Sequence, residues 1–405
     1  MTTTPNPSSP SDIEAPSAVS RRSLLIGAGA VAAGAAVATS AAPAVAAPAP
    51  SGRYRIDLHA HFLPPEYRVA LLEHGHFTIG GYPTPQWSPE SAIDFMDRWG
   101  IQSQALSVSD PGVSFLRGKE ARDLARYCNA YAARLFRTHR TRFGAFAVLP
   151  MPDVAASIAE LEYALDTLHL DGVVLLSAYD GVYLGDPRFE PLMAALNRRK
   201  AFVFVHPAAI PDNAKPSLPL PDFLEEFTFD TTRAATLMLA GGTLRRYPGI
   251  RFQLSHAGGT LPFLSWRIGV LAETPVGTHW PAGVPRPSAL DVQQLIRTFY
   301  FDTALSASEA AMRSVLAVAP RSHIVFGSDW PFSQTVFLEG SGDPARGLSD
   351  VFNAGQRYEI ERINALRQLP RLRVICHRYG ATWIATSMGP PWRVIEDALR
   401  GWVGQ

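Results

Sequence analysis

Eight short apolar runs, rich in β-branched and aromatic residues, alternate along the chain with segments of helical spacing. This alternation restricts the fold more than any other feature. The runs cover 53–58, 104–108, 143–149, 172–176, 201–205, 250–255, 299–303 and 323–327. Segments 120–137 and 154–168 carry apolar residues three and four apart with charges opposite, and 231–247 and 307–317 also read as helices. Asp153 and Pro187 mark helix starts. Strands separated by helices imply βα units and a parallel sheet. Eight of them in about 350 residues predict an α/β fold, a closed (β/α)8 TIM barrel with loop insertions. An open doubly wound sheet is the rival, but no Gly-x-Gly-x-x-Gly follows the first run. The Gly- and Pro-rich stretches 75–89, 207–221 and 274–287 read as loops over a site.

Residues before the first run stand apart. The stretch 1–20 is polar, then Ser20-Arg21-Arg22-Ser23-Leu24-Leu25 opens a segment with no further charge until Arg53. It ends in Ala44-Val45-Ala46, a small-x-small cleavage pattern. The expected division is a twin-arginine-type signal peptide at 1–46, a short linker at 47–52 and the barrel domain at 53–405. That predicts a periplasmic or extracellular protein with no stable membrane insertion after cleavage. Alanine and glycine bury little apolar area, which argues against an uncleaved anchor. A hydrophobic fraction of 47% is ample for a large core, and a net charge of +1 offers nothing to nucleic acid. Cys128 and Cys376 form no CxxC pair, read as buried small hydrophobes, and leave a disulfide open.

Four of the runs share a chemical ending. The first gives Asp57-Leu58-His59-Ala60-His61, the fifth Val205-His206-Pro207, the sixth Ser255-His256-Ala257-Gly258-Gly259 and the eighth Gly327-Ser328-Asp329-Trp330-Pro331. In a parallel barrel the C-terminal strand ends share one face, where loops build the site. Residues i and i+2 of a strand point to one side, so His59 and His61 converge and Asp57 falls a layer below. A lone histidine after a strand is usually a satisfied loop residue, and a lone aspartate an N-cap. The coincidence over four strands favours metal ligands: His59, His61, His206 and Asp329. Imidazoles with one carboxylate suit a divalent ion, zinc first or manganese if more oxygens bind. The fourth run, ending Leu175-Leu176-Ser177, offers no lysine or glutamate to bridge a second ion, so one metal is expected.

These motifs, with His59-Ala60-His61-Phe62-Leu63-Pro64-Pro65, resemble the amidohydrolase superfamily over most of 53–390. The nearest branch is that of aminocarboxymuconate-semialdehyde decarboxylase. Pro64-Pro65-Glu66-Tyr67, Trp87-Ser88-Pro89-Glu90 and Ser107-Val108-Ser109-Asp110-Pro111-Gly112 are similar to 6-methylsalicylate decarboxylases. The resemblance implies non-oxidative decarboxylation of a small carboxylic acid at one metal. It implies that His256 is an acid/base group or hydrogen-bond partner. It implies that Arg267 meets a substrate carboxylate, and that the chain forms a homodimer.

Three readings compete. In a decarboxylase, His256 or Asp329 protonates the carbon that loses CO2. Trp330, Phe332, Trp87 and Phe62 are then candidates to stack on an aromatic ring. In a hydrolase, a lactonase or amidase, Asp329 takes a proton from metal-bound water. A non-catalytic metal-binding protein is the third, disfavoured by an intact ligand set. Decarboxylation is the expectation.

Overall fold

The computed structural model describes residues 52–211, 214–273, 285–335 and 342–376. The predicted leader, the chain beyond Cys376 and most of the 274–287 loop lie outside them. The eight core strands are β1 (Arg55–His61), β2 (Ile101–Ser107), β3 (Phe143–Ala147), β4 (Gly172–Leu176), β5 (Phe202–His206), β6 (Arg251–Leu254), β7 (Tyr300–Asp302) and β8 (Ile324–Val325). Each pairs in parallel with the next in chain order. Closure comes from β1 meeting the end of β8. Leu58 N–H donates to the Phe326 carbonyl (2.9 Å) and His61 N–H to the Trp330 carbonyl (2.7 Å).

The helices follow the predicted βα rhythm. Helix α1 is Pro65–Glu73, α2 Pro89–Arg98, α3 Gly118–Thr138, α4 Val154–Glu162 and α5 Glu190–Arg198. Then come α6 Glu226–Ala240, α7 Leu261–Glu273, α8 Ala289–Ile296 and α9 Glu309–Val318. Buried Ala121, Leu124, Ala125, Cys128, Ala132 and Leu135 form the core stripe of α3. Asp153 caps α4, its carboxylate accepting from Ala156 N–H (3.0 Å). The two cysteines are buried and unpaired.

Boundaries depart from expectation where polar side chains interrupt the apolar run. Strand β1 continues past Leu58 to His61, and β2 begins at Ile101 ahead of Gln102, Ser103 and Gln104. All seven residues of each strand are buried, because the barrel interior is itself polar. The single helix expected at 231–247 starts earlier, at Glu226, and breaks at Gly241-Gly242 before a short turn, Thr243–Arg246. Gly242 sits at φ +74°, which stops the helix. The 75–89 loop contains a small hairpin, Thr78–Ile79 against Tyr82–Pro83. Its Gly80 lies at φ +56° and so close to α6 that a Cβ would stand 2.6 Å from the Phe227 ring. That close approach seats Ile79 and Tyr82 over the C-terminal mouth of the barrel. No helix among the described residues is long and apolar enough to cross a membrane.

Candidate metal centre

Strand pleat places the ligands. On β1, Ile56, Leu58 and Ala60 face the helices while Asp57, His59 and His61 face inward. His206 ends β5, and Asp329 follows β8 at φ +59°, a conformation that turns its carboxylate toward the axis. One donor atom from each of His59, His61, His206 and Asp329 lies within 4.8 Å of every other, and all four residues are buried. The Nε2 atoms of His59 and His61 approach to 3.1 Å. Asp329 Oδ1 lies 3.3 Å from the first and 3.2 Å from the second.

The outer nitrogens fix which lone pairs point inward. His59 Nδ1–H donates to Asp302 Oδ2 (3.0 Å), and His206 Nδ1–H to the Pro207 carbonyl (2.9 Å). Ser107 Oγ gives its own proton to the Ala60 carbonyl (3.2 Å) and accepts from His61 Nδ1–H (3.0 Å). All three rings therefore aim an unprotonated Nε2 at one point beside a carboxylate oxygen. Converging lone pairs repel unless a cation lies among them, and this donor set fits a divalent ion. Burial opposes a charge on His59, but Asp302 and Asp329 outweigh it and push its pKa up to about 10. Burial lowers His61 and His206, helped by the other imidazoles. Burial alone would raise Asp329, yet the His59 charge and hydrogen bonds from His256, His59 and His61 hold it well below the usual carboxylate range.

His256 completes the group. Its Nε2 lies 3.4 Å from Asp329 Oδ2, so Asp329 faces the ligand pair with one oxygen and His256 with the other. His256 Nδ1 is buried with no protein partner. The residue stands at φ +52°, and its N–H donates to Asp302 Oδ1 (2.9 Å). One layer down, Asp57 accepts from His59 N–H, Gln104, Ser328 N–H and Ser328 Oγ.

A cavity opens beside the cluster. Ser109, His206 and Asp329 supply its polar wall, and Ile79, Tyr82, Phe223, Phe227 and Phe332 its apolar one. Of the expected stacking aromatics, Phe332 alone lines it, its ring centroid 5.4 Å from that of His61. Phe62, Trp87 and Trp330 lie behind the barrel wall instead. Phe62 packs on Trp87 (6.0 Å), and Trp330 stacks on Phe95 of α2 (5.6 Å). The pleat explains Phe62: one position after an inward His61 must point outward. Arg267 is exposed on α7 and does not line the cavity. Sequence reasoning also passed over Asp302 and Ser107. Asp302 was visible in principle, since the seventh run carries an aspartate near its C-terminal end.

Comparison with known proteins agrees with this geometry. The sequence profile of the amidohydrolase family matches residues 56–338. The chain is 37% identical to the decarboxylase yanB of Aspergillus niger, covering 79% of this chain and 88% of that one. It is 36% identical to the 6-methylsalicylic acid decarboxylase acuB of Aspergillus aculeatus, over 79% of this chain and 97% of that one. It also superposes on the crystal structure of 5-carboxyvanillate decarboxylase from Novosphingobium aromaticivorans, which holds manganese and a nitrobenzoic acid. The TM-score is 0.67 at 21% identity, covering 78% of this chain and 96% of that one. Barrel topology, ligand set and sequence together show that the chain belongs to the amidohydrolase family.

Proposed function

We propose that the protein is a metal-dependent, non-oxidative decarboxylase of a small aromatic carboxylic acid of the salicylate type. The observation that carries this reading is the juxtaposition of a three-histidine, one-aspartate centre with an aromatic-walled cavity and the buried His256–Asp329 pair. His59, His61, His206 and Asp329 would hold a divalent ion, which would supply Lewis acidity toward a carboxylate and a neighbouring phenol oxygen. Three nitrogens and one oxygen suit zinc, and the manganese in the related structure supports the alternative.

The chain's own residues do the rest. Phe332, Tyr82 and Phe227 form faces on which a ring can pack. His256, oriented by Asp329, delivers a proton to the ring carbon that bears the carboxylate. The bond from that carbon to the carboxylate then breaks, its electron pair restores the aromatic ring, and CO2 leaves. Buried, apolar surroundings keep water from competing for that proton.

The hydrolase reading uses the same ligands, with Asp329 as the base. The names of the curated relatives support the carboxy-lyase. We further propose a homodimer: Phe263 (81% exposed) and Trp266 (70% exposed) lie beside Arg267 on the exposed side of α7, a large apolar surface for a lone chain. In such a dimer Arg267 would meet a substrate only in the other copy. Export by the twin-arginine leader remains part of the proposal and rests on the sequence of residues 1–46.

The test is product analysis with zinc- or manganese-loaded protein. Salicylate-type acids are expected to release CO2, and chelation with dipicolinate to abolish it reversibly. Ring opening of a lactone panel with no CO2 from any acid would overturn the assignment in favour of the hydrolase.

A further inference from the structure

We propose that Asp302 is a positioning residue that couples metal ligand to proton donor, one carboxylate oxygen serving each. The proposal rests on the roles given above to His59 and His256. Asp302 ends β7, is fully buried and touches neither the cavity nor the convergence point of the ligands. Its Oδ2 accepts from His59 Nδ1–H (3.0 Å) and Gln253 Nε2–H (2.9 Å). Its Oδ1 accepts from the backbone N–H of His256 (2.9 Å) and of Ala304 (3.1 Å). Four donors meet two oxygens, so the group must be an acceptor on both sides.

Each half has a distinct consequence. On the Oδ2 side, the bond fixes the His59 tautomer and aims Nε2 inward. On the Oδ1 side, the bond anchors the backbone of a residue held at φ +52°, followed by Ala257 at φ +55° and two glycines also at positive φ. The two non-glycine residues of this run, His256 and Ala257, are strained there and stay so only where their surroundings hold them. Releasing the His256 N–H lets that turn relax and moves the imidazole away from Asp329. The other outer partners have no such double duty. Ser107 supports His61 and the adjoining Ala60 carbonyl but not His256, and Pro207 supports His206 through its own carbonyl.

The experiment compares Asp302→Asn with Ser107→Ala in the full-length protein. An Asn side chain must turn an NH2 toward one pair of donors, so one half of the coupling is lost. Metal affinity is read by chelator competition, and turnover is read at saturating metal. Ser107→Ala is expected to lower affinity roughly 10-fold and to recover most of its turnover when metal is saturating. Asp302→Asn is expected to lower affinity about 10- to 100-fold and to keep a turnover deficit of about 100-fold that added metal does not restore. Full rescue by metal would overturn the coupling, as would an affinity within twofold of wild type in a variant that melts cooperatively. If Asp302→Asn does not fold, 15N-histidine NMR of the zinc-loaded wild type decides. The proposal requires an Nδ1–H tautomer with a slowly exchanging, downfield proton at His59, and an Nε2–H tautomer there overturns it. Affinity and tautomer do not depend on the reaction, so their failure is distinguishable from failure of the decarboxylase assignment.

Discussion

Strand β1 carries a buried charged cluster at each end, and the two are built on opposite principles. At its start, Arg55 pairs with Asp343 (2.7 Å) and Glu361 (3.3 Å). Tyr54 OH also donates to Glu361, and Arg362 donates to the Tyr54 carbonyl and Gln102 Oε1 (2.6 Å each). Cations and anions there are matched, and the guanidinium groups satisfy the acceptors around them. At its end, three imidazoles aim lone pairs at a point beside one carboxylate, with a buried His256 nitrogen left unpartnered. The first cluster is complete as folded. The second is completed only by something the chain does not supply. Buried charge alone therefore does not mark a site; an unbalanced set of donors does.

Removing a ligand breaks this contrast most sharply. Asp329→Asn should lower turnover by about 1000-fold or more, with the melting temperature of the metal-treated variant falling to that of the metal-free wild type. Calorimetry beside steady-state assays checks both. If activity survives, the unbalanced end is not the site.

The matched end should answer in stability instead. Glu361 is fully buried against Arg55 and Arg357, so Glu361→Gln leaves Arg55 with Asp343 alone and should destabilise the fold by about 3–5 kcal/mol in denaturant titration. Turnover per folded molecule should stay within twofold. A specific loss of turnover would show that the two ends are coupled.

A smaller perturbation sharpens the metal end. A Cβ on Gly327 would stand 2.6 Å from the His59 Cβ. Gly327→Ala should displace His59 and weaken metal binding roughly 10-fold, since ligand placement sets affinity. Unchanged affinity would mean that β8 can shift without moving the ligand.

The smallest effect is a pH dependence at the matched end. Burial, then the Glu361 charge, push the Tyr54 hydroxyl from 10.0 up to about 12. The native state thus holds this proton more tightly than the unfolded chain. The stabilisation is complete below pH 10 and is lost as pH rises through about 12. The melting-temperature gap between wild type and Tyr54→Phe should therefore shrink over that window. A gap independent of pH would remove Tyr54 from the cluster.

Much of this was legible in the chain. The eight runs mark all eight barrel strands, and Gly172–Leu176 agrees to the residue because its run is wholly apolar. The four ligands were legible because each lies at or just beyond the C-terminal part of a strand run, and these parts of a parallel barrel share a face. Phe62, Trp87 and Trp330 pack away from the cavity, because being near a ligand in sequence does not decide which side of a wall a ring occupies. The cavity aromatics Phe223 and Phe227 lie far from the ligand motifs in sequence and carry no pattern of their own.

The sequence by itself determined the alternation of strand and helix, the inward period of two on β1 and the chemical identity of the metal ligands. These are local properties, set by side-chain shape and backbone pleat. Only the tertiary structure decided that Asp302 reaches both His59 and His256, that a hairpin from 78–83 roofs the cavity, and that Arg267 faces outward. Those are contacts between residues far apart in the chain, and the packing that closes the barrel selects them.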